Sequence, residues 1–191
     1  MWRTLADSRR KSPVSPSPEP AAPATICVVD TSILIEFKRL VKIDEQWDVL
    51  AHMLKLVEDG SLAFPRQVAK ELQEVRFPDA PGAWIGHAKG KICHPQPDDA
   101  TLARVLAVAE QLVDLEATHE REVADPYVAA MAIEIVERDL FSRVVVATND
   151  RVDRLPAKLS LLTACARLGL DCWTPEEFLA WVSAGGVTGA G

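Results

Sequence analysis

Two short runs of branched apolar residues, 25–29 and 143–148, each lead straight into acids and hydroxyls. Asp30-Thr31-Ser32 follows the first, and Thr148-Asn149-Asp150 closes the second. Near-continuous Val and Ile is how a strand buried on both faces reads, and such strands belong to parallel sheets covered by helices. Weaker strand candidates lie at 61–64, 91–93 and 170–173, the last entered through Gly169, a residue suited to ending a helix.

Helical patterns fill the gaps. One follows Asp30 directly. Over 45–58, Trp47, Leu50, Leu54 and Val57 recur at three- and four-residue spacing, and Gly60 stops the run. Pro65 and Pro175 stand where helices start, and further patterns cover 99–115, 126–139, 157–168 and 175–182. Strand–helix alternation of this kind predicts an α/β domain, a three-layer α/β/α sandwich around a central parallel sheet. It spans 25–183. Residues 1–24, with Pro13, Pro16, Pro18, Pro20 and Pro23, read as a disordered tail, and 184–191 as a flexible, glycine-rich end.

Composition narrows the function classes. The net charge of -7 is unusual for a nucleic-acid binder; Arg3, Arg9, Arg10 and Lys11 against Asp7 and Glu19 make the first 24 residues +2 and the remainder -9. Contact with nucleic acid would have to be local or mediated by a metal. No apolar run approaches the roughly 20 residues of a membrane span, and the N-terminus lacks a secretory core, so no membrane role and a cytoplasmic location are expected. Cys27, Cys93, Cys165 and Cys172 are scattered and read as reduced core residues; Cys93-His94 has no second close pair to complete a zinc site.

The acids can be phased. On the helix after Pro65, Val68, Leu72 and Val75 form the apolar stripe, with Glu71 about 60° and Glu74 about 120° from its centre. Glu71 therefore sits at the edge of the buried face, as a snorkelling side chain or as part of a site. Asp125-Pro126 reads as N-cap and N1 of the next clear helix, whose stripe is Val128, Ala129, Ala132, Ile133 and Val136, with Glu134, Glu137 and Arg138 opposite. Extrapolated backwards, Asp125 heads the core-facing stripe. Asp150 repeats the strand-end geometry of Asp30, with Asp153 as its rival.

Each acid has a plain structural explanation. Together they describe a pocket of like charges, which cannot all stay ionised uncompensated. A hard divalent cation, Mg²⁺ or Mn²⁺, is the usual compensation, and such a site supports attack of metal-activated water at phosphorus.

The residues resemble the PIN domain family. The likeness rests on Val-Val-Asp-Thr-Ser at 28–32, Phe-Pro-Arg-Gln-Val-Ala-Lys-Glu-Leu at 64–72, Ala-Asp-Pro-Tyr-Val-Ala-Ala-Met-Ala at 124–132 and Val-Ala-Thr-Asn-Asp at 146–150. The close at 161–173 looks like the end of the VapC-like, toxin-type branch. The resemblance covers 25–183 and implies a strand order of 3-2-1-4-5 and a metal-dependent endoribonuclease acting on RNA. It also implies a toxin of a type II toxin–antitoxin pair, with an antitoxin protein as partner and a homodimeric state. Asp30, Glu71, Asp125 and Asp150 would be catalytic residues and hold Mg²⁺ or Mn²⁺, with Ser32, Thr148 and Asn149 orienting ligands or water. Arg66, Arg76, Arg151 and Arg154 are candidates for phosphate contacts, and the insert over 76–96, with Trp84, His87 and His94, for a clamp or substrate wall.

Two other readings compete. A catalytically silent PIN-like module would bind RNA or protein. A phosphotransfer enzyme with Asp30 as nucleophile fits less well: haloacid-dehalogenase-like phosphatases need an Asp where Ser32 stands, and receiver domains need an early acidic pair and a late lysine, neither of which is evident.

Overall fold

A computed structural model describes residues 23–73, 79–113 and 123–186. The proposed tail over 1–24 lies outside this set except for its last two residues, as does the end from 187 onwards.

The chain forms a four-stranded, all-parallel sheet flanked by helices. Strand β1 (Thr25–Val29) leads to α1 (Thr31–Leu40) and α2 (Gln46–Glu58), then to β2 (Leu62–Ala63), α3 (Arg66–Gln73), α4 (Ala80–Ala88) and α5 (Asp99–Val108). After a 3-10 turn at Glu110–Leu112 come α6 (Asp125–Arg138), β3 (Arg143–Ala147), α7 (Leu161–Leu168), β4 (Asp171–Trp173) and α8 (Pro175–Ser183). Helices α1 to α4 and α8 pack among themselves, as do α5 to α7, an arrangement compatible with a three-layer sandwich.

Among the described residues the strand order is β2-β1-β3-β4, in place of the five-stranded 3-2-1-4-5. The candidate at 91–93 forms no strand. Its Cys93 thiol points at the carbonyls of Val57 and Glu58 (3.5 and 3.3 Å), and Lys91 pairs with Glu58, so the segment is tied to the end of α2. The two-residue β2 gives it little edge to join.

Strand β1 is buried throughout, as its composition demands. It pairs with β3 in the register Val29↔Ala147, and the ladder runs one step further through Asp30 N–H to the Ala147 carbonyl (3.0 Å). Asp30 and Thr148 thus lie level, at the carboxyl ends of the two middle strands. From β1 the chain crosses to β2 on one side, and from β3 to β4 on the other. The space above β1 and β3 is therefore the switch point where open α/β sheets hold ligands.

Several helical phases differ from those expected. On α2 the buried residues are Gln46, Leu50, Met53, Leu56 and Val57, which leaves Trp47 60% exposed. On α6 Glu134, expected opposite the apolar stripe, is buried against α5 and accepts the Asp98 N–H at 2.7 Å, whereas Glu137 and Arg138 are exposed and Val136 of the stripe is 41% exposed. Helix α5 stops at Val108 because Ala109 leaves helical geometry (φ -137, ψ 58). Helix α7 starts at Leu161 rather than at 157, where Ser160 caps it through the Thr163 N–H (3.2 Å); Gly169 ends it at φ 71, as expected.

The described part of the insert, from Asp79 onwards, is anchored in the core through α4. Asp79 caps α4, and Trp84 and Ile85 are buried, with the Trp84 ring 5.9 Å from Phe64. His87 is exposed, and His94 holds the Gly60 carbonyl at 2.7 Å. Cys27 and Cys165 are buried free thiols, whereas Cys93 is exposed. No helix among the described residues is long and apolar enough to cross a membrane.

Candidate functional site

A cleft of about 390 Å³ opens at the switch point, lined by Asp30, Ser32, Glu71, Asp125, Asn149, Asp150 and Lys158 among others. The four acids arrive from β1, α3, α6 and the segment after β3, so the fold alone brings them together.

Asp30 caps α1 and faces the cleft at once. Its Oδ2 accepts from Ser32 Oγ (2.6 Å), Thr148 Oγ1 (3.0 Å) and, at 3.4 Å, the Ser32 N–H. Ser32 Oγ in turn accepts the Asn149 N–H (2.8 Å), and Thr148 Oγ1 accepts the Asp150 N–H (3.0 Å). These hydroxyls lock one carboxylate to the turn that carries another. Burial raises the Asp30 carboxyl above its usual range; the Ser32 and Thr148 hydrogen bonds oppose the rise and the charge of Glu71 adds to it.

Glu71 is half-buried. Its Oε1 accepts the Ala124 N–H at 2.9 Å and its Oε2 accepts from the Thr31 hydroxyl. It therefore meets an N–H at the start of α6 that no intrahelical carbonyl satisfies. The N-cap of α6 is Ala124, not Asp125, with Asp125 in the first turn beside Pro126. Relieved of capping, the Asp125 carboxylate turns into the cleft, where it is 6% exposed.

Lys158 is the residue that sequence reasoning missed. Its Nζ lies 2.8 Å from Asp125 Oδ2 and 3.1 Å from Asp150 Oδ2, with the side chain only 16% exposed. The Asp150 contact is aligned as a hydrogen bond; the one to Asp125 is a close ion pair without that alignment, leaving Asp125 Oδ2 buried with no hydrogen bond. Burial, then the charge of Asp30, push the Asp125 carboxyl up to about 6 against the pull of Lys158. For Lys158 burial opposes the charge, but Asp125 and Asp150 outweigh it and raise the ammonium's pKa. The sequence reads Lys158 as part of a helical pattern over 157–168, whereas it sits in an irregular segment ahead of α7; only its presence after an acid-tipped strand could have singled it out.

Asp150 rather than Asp153 belongs to the cleft. Asp153 accepts from Ser160 N–H (2.9 Å), Ser160 Oγ (2.6 Å) and Thr163 Oγ1 (3.2 Å), bracing the start of α7. Asn149 lines the cleft. Arg66, Arg151 and Arg154 are exposed and line none of it, and Arg76 lies outside the described residues.

Residues 27–184 match the model of a family described as a domain of unknown function, DUF4411. The chain belongs to the DUF4411 family. The match takes in the whole DUF4411 sheet but for two residues of β1, and every acid of the cleft. No curated protein matches the chain.

An oxygen-rich cleft of this kind suits a hard cation in the chemistry of its donors, and the buried Asp125 Oδ2 already faces a cation, the Lys158 ammonium at 2.8 Å. As the side chains lie, no three acids among the described residues close on one point to hold an ion, and Lys158 stands between two of them.

Proposed function

We propose that this DUF4411 protein is an endoribonuclease dependent on Mg²⁺ or Mn²⁺, with the site of a PIN-like domain. The observation that carries the reading is the convergence of four acids, from four separate segments, on one cleft above β1 and β3. Four carboxylates against one ammonium leave an excess of negative charge when all are ionised, which a divalent cation offsets.

Asp30, Asp125 and Asp150 would hold the ion, with Glu71 at the edge, where each of its oxygens already accepts one hydrogen bond and keeps a second lone pair. The bound ion would activate a water and steady the charge on the phosphate. Ser32 and Thr148 fix the Asp30 carboxylate in one orientation, and Asn149, its N–H spent on Ser32, lines the cleft. The toxin role, the antitoxin partner, the homodimer and the cytoplasmic location rest on the sequence reading.

The test is incubation of the purified protein and its Asp30→Asn variant with total RNA and Mg²⁺, followed by mapping of new RNA ends. New ends that appear only with the parent protein and the metal support the reading; identical profiles sink it.

Lys158 favours a second reading, a catalytically silent module in which the ammonium satisfies the acids permanently. A thermal titration with Mn²⁺ separates the two: no shift at millimolar ion supports the silent module. Lys158 is also a late lysine of the kind phosphotransfer sites use, but it pairs with Asp125 and Asp150, while the Asp30 Oδ2 expected to attack is taken by Ser32 and Thr148.

A further inference from the structure

We propose that Lys158 is a built-in counter-ion that holds Asp125 and Asp150 and that a divalent cation must displace before it can bind, an inference that rests on the metal-dependent reading above. The ammonium bridges the two carboxylates at 2.8 and 3.1 Å, in the space between them that a shared ion would need. Like charges on one side of the cleft make the two cations mutually exclusive at that point: with Lys158 in place Asp125 and Asp150 each have a partner, and with a divalent ion in place the ammonium is repelled.

The backbone around Lys158 is fixed, so a departure of the ammonium falls to the side chain. Lys158 exchanges both main-chain hydrogen bonds with Arg154 (2.8 and 3.1 Å), the next residue donates its N–H to the Gln111 carbonyl (2.8 Å), and Ser160 is held by Asp153. Departure of the ammonium therefore needs only rotation of a four-carbon stem that is flexible by nature. Two carboxylates aimed at one ammonium would repel each other once it left, so the lysine also spares the cleft that repulsion while the ion is absent. The Asp125 contact is the shorter and the more buried of the two, which makes Asp125 the tighter anchor of the ammonium.

Calorimetric titration of the full chain with Mn²⁺, comparing wild type with Lys158→Met and Lys158→Arg, tests the proposal. Removal of the competing charge should tighten Mn²⁺ binding at least tenfold in Lys158→Met, and Lys158→Arg should bind no more tightly than wild type. Wild-type binding that Lys158→Met fails to tighten overturns the counter-ion role and leaves the metal reading standing. Absence of binding in all three proteins at millimolar Mn²⁺ overturns both. A second measurement needs no variant: acetylation of Lys158 in the wild-type protein, followed by mass spectrometry, should speed up several-fold when Mn²⁺ is added. Unchanged or slower labelling overturns the displacement.

Discussion

Thr148 donates its hydroxyl proton to Asp30 Oδ2 across 3.0 Å, although 118 positions separate the two residues in the chain. The threonine oxygen also accepts the Asp150 N–H, so one side chain ties the acid at the end of β1 to the turn that carries the acid after β3. Thr148→Val keeps the shape and removes both contacts. It should cost about 1–3 kcal/mol, because a buried carboxylate loses a donor and an N–H loses its acceptor. Cleavage of RNA should fall about 10- to 100-fold, as for other losses of a ligand's hydrogen-bonding support. Urea denaturation reads the first effect and initial rates in Mg²⁺ the second; a fully active variant would detach Thr148 from the site.

Asp125 gives a pH signature. Its folded-state pKa stands at about 6 against the ordinary 3.8, so the folded protein binds this proton more tightly than the unfolded chain. The associated stability is present in full below the ordinary value and is lost as pH rises through about 6. In chelator, Asp125→Asn should therefore gain on wild type across that window, by about 3 kcal/mol at most. Cleavage by the variant should be lost. The check is the difference between the two denaturation curves from pH 4 to pH 8; a flat difference contradicts the assignment.

Ion binding should raise the melting temperature of the wild type. Saturation at about 100 times the dissociation constant is worth roughly 2.7 kcal/mol. Asp30→Asn should remove most of the shift, since it takes a full charge from the cleft while Ser32 and Thr148 keep a partner oxygen. Differential scanning calorimetry with stepped Mn²⁺ measures both proteins. Equal shifts would exclude Asp30 as a ligand.

Glu134 is a control outside the cleft. Buried on α6, it accepts the Asp98 N–H at the head of α5 and pairs with Arg138. Glu134→Ala leaves that N–H without its partner and should destabilise the fold by about 1–3 kcal/mol. The turnover number of the folded fraction should not change. A specific loss of activity would mean that α5 reaches the chemistry.

The two middle strands and the acids beyond them are legible in the sequence because their signals are local. Five buried residues ending in an acid define β1, and a similar run defines β3, so the chain's own pattern pairs Asp30 with Asp150. Features that depend on what packs against an element are not legible. Glu134 lies opposite the stripe of its own helix and is buried only because α5 covers it; Trp47 falls in phase with the apolar residues of α2 yet faces outward. Trp84 reads as part of an appended insert, and the core absorbs it beside Phe64. Lys158 reads as one more residue of the pattern over 157–168 and carries no motif, so its meaning comes from the two carboxylates it meets.

The Val29↔Ala147 pairing carries a consequence for how such a chain can change over time. Asp30 and Thr148 are each one step beyond that pair, so a single-residue insertion or deletion within either strand would slide one past the other by about 3.3 Å and turn its side chain to the opposite face. The sheet could re-form around such a slip with an apolar interior still in place, but the hydroxyl and the carboxylate would no longer meet. Length changes should therefore accumulate in the connections around the sheet and be purged from these two strands, for a reason separate from stability.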